Sequence, residues 1–293
     1  MDDLFVQAGI RPVTQVQAKA ARPRKGRPMV ATAVLAVIVT GCLLCDLFPL
    51  RDPSYMDLYH ANQAPGGTFV FGTDTMGRDI FSMIWHGGRI SLFIGLFATM
   101  ISTAAAILFG TVSALAPKWL DDLLMRFLEI FLSIPSLLLV VLVQAILGKA
   151  NALSLSFVIG ITGWPGIARV VRSEVRQIKA NEYVIAARCM GAGFFRILLR
   201  HLAPNFVPSI MFMVVMNIRN AISVESTLSF MGIGLSLETV SWGSMLSLAE
   251  GSLLSGSWWI ILIPGLFLTV TMLCITDIGN YLRGSMNRKQ SNL

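Results

Sequence analysis

Three histidines, His60, His86 and His201, and four cysteines, Cys42, Cys45, Cys189 and Cys274, are the side chains here best suited to hold a metal or attack a bond. Their spacing argues against both uses. No histidine has a carboxylate at metal-ligand spacing, so all three read as structural. Cys42-Leu43-Leu44-Cys45 has redox spacing but lies within an apolar run, where thiols behave as small buried hydrophobes. There is no G-x-x-x-x-G-K-[ST] loop to cradle phosphates, no H-E-x-x-H zinc helix and no G-x-S-x-G nucleophile elbow. No catalytic, metal or cofactor site is expected in the chain itself.

The remaining chemistry lies in charges set among apolar residues. Glu129, Arg219 and Asp277 fall within or at the edge of long apolar runs. Such a group at a bilayer centre costs roughly 2.5–3.5 kcal/mol on insertion scales, so it should face protein or water. Glu129 and Asp277 are expected to partner nearby basic residues. Arg219 stands close to Asn217, Asn220 and Glu225, and two readings stay open for this polar group. It lines a solute path, with Arg219 meeting an anion such as a peptide carboxylate, or Arg219 snorkels to headgroups.

Composition says what holds these residues. Hydrophobic residues make up 55% of the 293 and charged residues 13%, and mean hydropathy is +0.70. Soluble domains average about 25% charged, so the solvent for most of this chain is lipid. Runs of roughly the 20 apolar residues that a bilayer requires begin at Met29, Ile90, Leu123, Leu153, Asn205 and Trp258. The third carries Pro135, and the fourth a Gly163-Trp164-Pro165-Gly166 break. The expected architecture is all-α and polytopic, with six transmembrane helices. Its parts are a basic tail over 1–28, a first helix over 29–48 and an outer segment over 49–88. A five-helix core over 89–282, with a loop at 170–204, and a tail over 283–293 complete it. Val39-Thr40-Gly41-Cys42 resembles a lipoprotein cleavage site. The apolar run continues past it, so an uncleaved helix is expected.

The net charge of +7 and pI near 9.6 do not indicate nucleic acid, because the basic residues sit in blocks beside apolar runs. The tail holds Arg11, Lys19, Arg22, Arg24, Lys25 and Arg27. The loop after the fourth run holds Arg169, Arg172, Arg176, Lys179, Arg188, Arg196 and Arg200, whereas residues 225–257 have no Lys or Arg and carry Glu225, Glu238 and Glu250. By the positive-inside rule both termini are cytoplasmic, which requires an even number of spans.

Two segments outside the runs stand out. Around Thr73–Gly88, Ile80, Phe81, Ile84 and Trp85 recur at helical spacing, which predicts an interfacial helix leading into the second span. It either helps receive a partner or anchors the membrane surface. The fourth loop reads as two short helices, Asn181–Met190 and Phe194–His201, about Gly191-Ala192-Gly193. Asn181 is the candidate N-cap, Ala186 and Ala187 give a small face for close approach, and Pro204 separates the second helix from the fifth span. It is either a rigid docking knob or an ordinary interfacial loop.

Ala186-Ala187-Arg188 with Gly191, then Arg196-Ile197-Leu198 and His201-Leu202-Ala203-Pro204-Asn205, resembles the cytoplasmic loop of ABC importer permeases. Three further stretches resemble the second permease of the dipeptide, oligopeptide and nickel group. These are Phe71-Gly72-Thr73-Asp74 with Gly77-Arg78-Asp79 and Arg89-Ile90-Ser91-Leu92, then Leu228 to Leu235, then Trp242-Gly243 with Met245-Leu246. In order, they span the chain from about residue 52 to 284.

The resemblance implies a type I ABC importer permease fold in a bacterial or archaeal cytoplasmic membrane. It implies a second homologous permease, two ATPase subunits that hold ATP and Mg, and an extracytoplasmic solute-binding protein as partners. Glu182, Tyr183, Ala186, Ala187, Arg188, Gly191, Arg196, His201 and Pro204 would then seat in the ATPase. The cargo would be a peptide or, alternatively, nickel or a metal chelate. A secondary transporter or a channel is the alternative from a different class. The pattern departs at Ile185, where the family has Glu, and at Ala203, where it has Leu. Glu182 lies one turn earlier as a substitute charge.

Overall fold

The computed structural model describes residues 28–48, 50–236, 239–252 and 256–290. The basic tail residues Arg11 to Arg27 and the loop residue Glu238 lie outside them. Eleven α-helices are described: α1 Met29–Leu43, α2 Ile80–Leu115, α3 Lys118–Ser133, α4 Ser136–Leu147, α5 Ala152–Gly163, α6 Pro165–Ile178, α7 Glu182–Cys189, α8 Phe194–Ile197, α9 Ala203–Phe230, α10 Trp242–Ala249 and α11 Trp259–Gln290.

The helix α2 is the axis around which the others assemble. It has 36 residues, about 54 Å at 1.5 Å per residue, so it outruns a bilayer core of about 30 Å. Asp79 starts it by accepting from Ser82 N at 3.2 Å and Ser82 Oγ at 2.7 Å. Small residues along its length let neighbours come close, as is usual where helices meet in lipid. A Cβ on Gly110 would lie 2.7 Å from the Ala168 carbonyl oxygen, and one on Gly88 2.6 Å from the Trp242 ring. Around α2 pack α5, α6 and α9, with α11 beyond α9 and α1 between α2 and α11.

Three helices, α2, α9 and α11, are individually long and apolar enough to cross a membrane. Two broken helix pairs are long and apolar enough when each is taken as one span. α3 and α4 meet at 92°, and α5 and α6 at 45°. The first break lies where Ile134, with ψ of 131°, precedes Pro135, because proline pushes the preceding residue out of the helical region. The second lies at Trp164 before Pro165, where the sequence placed it. The sixth apolar helix, α1, has 15 residues.

Several expected boundaries move. The third run is not one straight span: α3 begins at Lys118 and is amphipathic, with Arg126 and Glu129 on its exposed side. The fourth run does not stop at Ala168. α6 continues to Ile178, because Ile167, Val171, Val175 and Ile178 form a buried stripe at helical spacing, and Arg169, Arg172 and Arg176 belong to that helix. The predicted interfacial helix is the N-terminal part of α2 itself. Its Ile80 and Ile84 are buried in a cluster with Val240, Trp242, Met245 and Ile260, while Phe81 and Trp85 stay partly exposed, so protein covers one part of its apolar face. Pro204 breaks nothing: residues 198–202 form a π turn and Pro204 sits in the first turn of α9. A wider turn before a proline absorbs the missing N–H and the ring's clash with the preceding turn.

The core has a cluster at each end of the bundle. Near the Arg/Lys-rich segment, hereafter the basic end, Trp164, Ile167, Val171, Val175, Leu202, Phe206 and Ile210 pack with Leu128 and Ala114. At the opposite end, Ile38, Cys42, Ile84, Trp242, Met245 and Trp259 form the second. Trp242 Nε1 donates to the Ile84 carbonyl at 3.0 Å and Trp259 Nε1 to that of Thr73 at 3.1 Å, so each buried ring has its polar edge satisfied.

Candidate functional site

At the basic end, α6, α7, α8 and the start of α9 form a small rigid knob. α7 turns Val184 inward, into the cluster of Ile178, Ile197, Leu198, Leu202 and Phe206, and buries Ala187 as well. Its other face carries Glu182, Tyr183, Ile185 and Ala186 outward, with Ile185 50% and the following Met190 80% exposed. Only Ala186 therefore offers the small outward face expected of both alanines, because Ala187 is part of the knob's core. Asn181 starts α7 through its carbonyl, which accepts from Val184 N at 3.0 Å and Ile185 N at 3.2 Å. Its side-chain amide donates instead to Tyr183 Oη at 3.3 Å, and Asn205 Nδ2 donates to the same oxygen at 3.2 Å. Tyr183 thereby ties α7 to the first turn of α9.

Gly191 ends α7. With φ of +78° it closes a Schellman turn in which Ala192 N donates to the Ala187 carbonyl at 3.1 Å. A side chain there would be strained even though the surrounding space is open. Behind the turn, Arg196 and Arg200 line a groove of about 340 Å³ with Ala187, Met190 and Ala192. Arg188 lies on α7 and His201 in the π turn.

Beneath the knob is a charge cluster that sequence reasoning missed. Asp121, in the first turn of α3, is buried. Its carboxylate accepts from Arg172 Nε and Nη2, both at 2.6 Å, from Arg176 Nη2 and from Ser113 Oγ at 2.6 Å. Lys179 Nζ adds a bond to the Ala114 carbonyl at 2.5 Å. The end of α2, the start of α3 and one face of α6 are pinned together immediately before α7. Arg172 and Arg176 at i,i+4 on an amphipathic stretch were the available signal.

The four candidate path residues do not form one group. Asn217 faces α2 and donates to Ser102 Oγ at 2.6 Å. Glu225 is fully buried. Its oxygens meet Ser91 and Ser226 at 3.2 Å, Ser229 at 3.1 Å and Ser241 at 2.8 Å, which ties α2, α9 and the segment before α10. Arg219 and Asn220 keep exposure on α9, and Arg219 Nε is buried with no partner among the described residues. Glu129 pairs with Arg126 at 3.7 Å. Asp277 is exposed and makes no ion pair among the described residues.

The outer motif is a structural knot. Asp74 accepts from Met76 N at 2.9 Å and Arg78 N at 2.8 Å, and Arg78 Nε reaches its other oxygen at 2.7 Å. Thr73 pairs with Asp79 across an isolated bridge. Gly72 and Gly77 hold φ of +76° and +74°, and a Cβ on Gly77 would lie 1.7 Å from the Asp57 carbonyl oxygen. Thr73, Asp74 and Arg78 are buried beneath the largely exposed residues 54–67.

Two histidines do meet carboxylates, contrary to the sequence reading. His60 Nδ1 lies 2.7 Å from Asp57 Oδ2, and His86 Nε2 3.5 Å from Asp46 Oδ1. Cys45, Asp46 and His86 place one ligand atom each within 4.8 Å of one another. Arg89 binds both Asp46 oxygens, at 2.6 and 3.3 Å, which holds that carboxyl below its usual range and occupies it with a cation.

Residues 106–288 match the family described as binding-protein-dependent transport system inner membrane component. The dipeptide transport system permease protein DppC of Bacillus subtilis is 36% identical over 262 residues, covering 88% of this chain and 82% of the relative. The oligopeptide transport system permease protein OppC of the same organism is 33% identical over 261 residues, covering 89% and 85%. Among solved structures, a chain of the inward-facing MetNI methionine ABC transporter aligns with a TM-score of 0.55 at 17% identity, covering 69% of this chain and 95% of that one.

Proposed function

The chain belongs to the binding-protein-dependent transport system inner membrane components, and on that premise we propose that it is the transmembrane permease subunit of an ATP-driven importer of di- or oligopeptides. It supplies one half of the path, and a second permease supplies the other. It hydrolyses nothing itself; ATP and Mg belong to two partner ATPase subunits, and a solute-binding protein delivers cargo at the opposite end. The basic end faces the cytoplasm, in keeping with the Lys/Arg blocks.

The observation that carries this reading is the knob on α6–α9, which presents Tyr183, Ile185, Ala186 and Met190 outward from a packed core. An exposed apolar patch with a basic groove beside it suits a protein partner. Motion of a docked ATPase reaches α6 through the knob's core, and passes from α6 to α2 and α3 through Asp121. Nucleotide then biases a helix bundle with two arrangements, opening the path to one side at a time.

Arg219 is the candidate cargo contact. Its unpartnered nitrogen in a long apolar helix supports a role in meeting an anionic group, such as a peptide's terminal carboxylate. Arg219→Ala is expected to raise the apparent KM for peptide uptake at least tenfold, and an unchanged KM assigns Arg219 to the lipid headgroups.

The test of the whole reading is affinity purification of the tagged chain in mild detergent. A second permease and ATPase subunits are expected to accompany it, and Gly191→Asp, which strains the turn after α7, to lose the ATPase while the chain still reaches the membrane. A chain that comes alone and moves peptide in liposomes without ATP would overturn the importer reading.

A further inference from the structure

At the end of α1 remote from the basic tail, two adjoining cavities share a wall. The larger, about 560 Å³, is apolar and lined by Val37, Leu44, Phe48, Val70, Phe81 and Trp85. The smaller, about 290 Å³, has the charged side chains of Asp52 and Asp57 in its lining beside Tyr55 and Phe69. Arg51 and Asp79 line both. The larger cavity falls in the range of about 300–1,000 Å³ typical of built ligand sites.

Its position and its charges say what fits. The last turn of α1 and the residues after it present Leu44, Leu47 and Phe48 outward, and Leu44 and Phe48 also line the cavity, so its mouth is continuous with exposed apolar surface. Arg51 lies 4.2 Å over the Phe69 ring and makes no ion pair among the described residues. Asp79 engages Ser82 through Oδ2 alone. An occupant must therefore be apolar at one end and carry both an anion and a cation at the other. We propose that these cavities hold one zwitterionic glycerophospholipid of the outer leaflet. An acyl chain fills the apolar cavity, the phosphate sits on Arg51, and a primary ammonium, as in phosphatidylethanolamine, faces Asp79 and Asp52. A purely anionic headgroup would meet those carboxylates and be rejected. The leaflet assignment rests on the orientation proposed above, but the site itself does not depend on what the chain transports.

The lipid would brace a weak part of the molecule. α1 has 15 residues, and a Cβ on its Gly41 would lie 2.3 Å from the Trp85 ring. α1 therefore approaches α2 closely at that point, and the cleft beside the contact stays open.

The test is native mass spectrometry of the full-length chain in detergent, titrated with dioleoylphosphatidylethanolamine and, separately, dioleoylphosphatidylglycerol. The unmutated chain is expected to retain one phosphatidylethanolamine, at least tenfold more tightly than phosphatidylglycerol. Arg51→Ala is expected to weaken that retention about tenfold, and Thr40→Phe, which fills the cavity from an exposed position, to abolish it. Leu43→Phe, outside the lining, should behave as the unmutated chain. Equal retention of the two lipids, or retention indifferent to Arg51→Ala and Thr40→Phe, overturns the proposal. A phosphatidylethanolamine carrying a diazirine on its acyl chain tests the chain without mutation. It must label residues 37–48 and 81–85, and labelling confined to other segments overturns the site. Each arm reads lipid binding rather than transport, so its failure leaves the importer reading intact.

Discussion

Asp121 illustrates how one side chain can link two functions at the residue scale. Its carboxylate answers two guanidinium groups that follow one another on α6, and both lie just before α7, the helix proposed to meet the ATPase. Asp121→Asn keeps the shape and part of the hydrogen bonding but leaves Arg172 and Arg176 without an anion. Breaking a fully buried pair costs about 3–5 kcal/mol. Here the Arg176 side chain is 43% exposed and solvent screens it, so a loss of about 1–3 kcal/mol is expected, read as a lowered Tm of the purified chain. The distinguishing readout is coupling. ATPase subunits should still co-purify and hydrolyse ATP, while peptide moved per ATP falls several-fold; unchanged stoichiometry would leave Asp121 a merely structural tie. Glu225 shows the other face of a buried carboxyl. It has hydroxyl partners on every side, and a glutamate at the end of an apolar run gives no sign of whether it will face a cavity or a ring of serines. Ser91 and Ser241, its partners from outside α9, lie 134 and 16 positions away.

In the proposed coupling, α7 is the element on which partner choice turns. Ile185, which stands where the resemblance to ABC importer permeases expects Glu, is half exposed on the outward face. An exposed site tolerates exchange within about 0.5 kcal/mol, so Ile185→Glu should leave expression and Tm unchanged. Its effect is expected at the interface, as weaker co-purification of the native ATPase and stronger recovery of one whose groove expects an acidic residue. Identical recovery would show that shape alone selects the partner. The first short helix and its end at Gly191 were legible in the sequence because glycine at a helix end is a local signal, whereas the second, expected over Phe194–His201, is α-helical only to Ile197 and runs through the π turn into α9. Pro135 and Pro165 marked their breaks for the same reason. The continuation of α6 to Ile178 was hidden by three arginines counted as loop, although Ile167, Val171, Val175 and Ile178 keep the helical period beneath them. Pro204 misled in the opposite direction, since a π turn is not written in any residue type. The burial of the first turns of α2 also escaped a local reading. Ile80 and Ile84 have the spacing of an interfacial helix, and only the distant Trp242 and Ile260 decide that protein covers them.

At the scale of the whole molecule, the excess positive charge is sorted in space. Arg169 to Arg200 gather at one end around the knob, while residues 225–257 at the other end have no basic side chain. The membrane potential and anionic lipids act on that asymmetry, and the orientation proposed above puts the knob where ATP is available. The cysteines allow this to be measured in the chain as it stands. Cys42, Cys45 and Cys274 are buried, and Cys189, at the end of α7, is the exposed one among the described residues. A membrane-impermeant maleimide should therefore leave the chain unlabelled in intact cells and label it in inverted vesicles. Tyr59, 99% exposed at the opposite end, gives the reciprocal control, because Tyr59→Cys should react in intact cells. Adding the ATPase subunits to the inverted vesicles should then slow labelling of Cys189, since Tyr183, Ile185 and Ala186 of the docking face belong to the same helix. Reaction of Cys189 from outside intact cells would put the knob on the wrong side of the membrane for any cytoplasmic ATPase, and coupling through α7 would have to be abandoned whatever the chain's relatives carry.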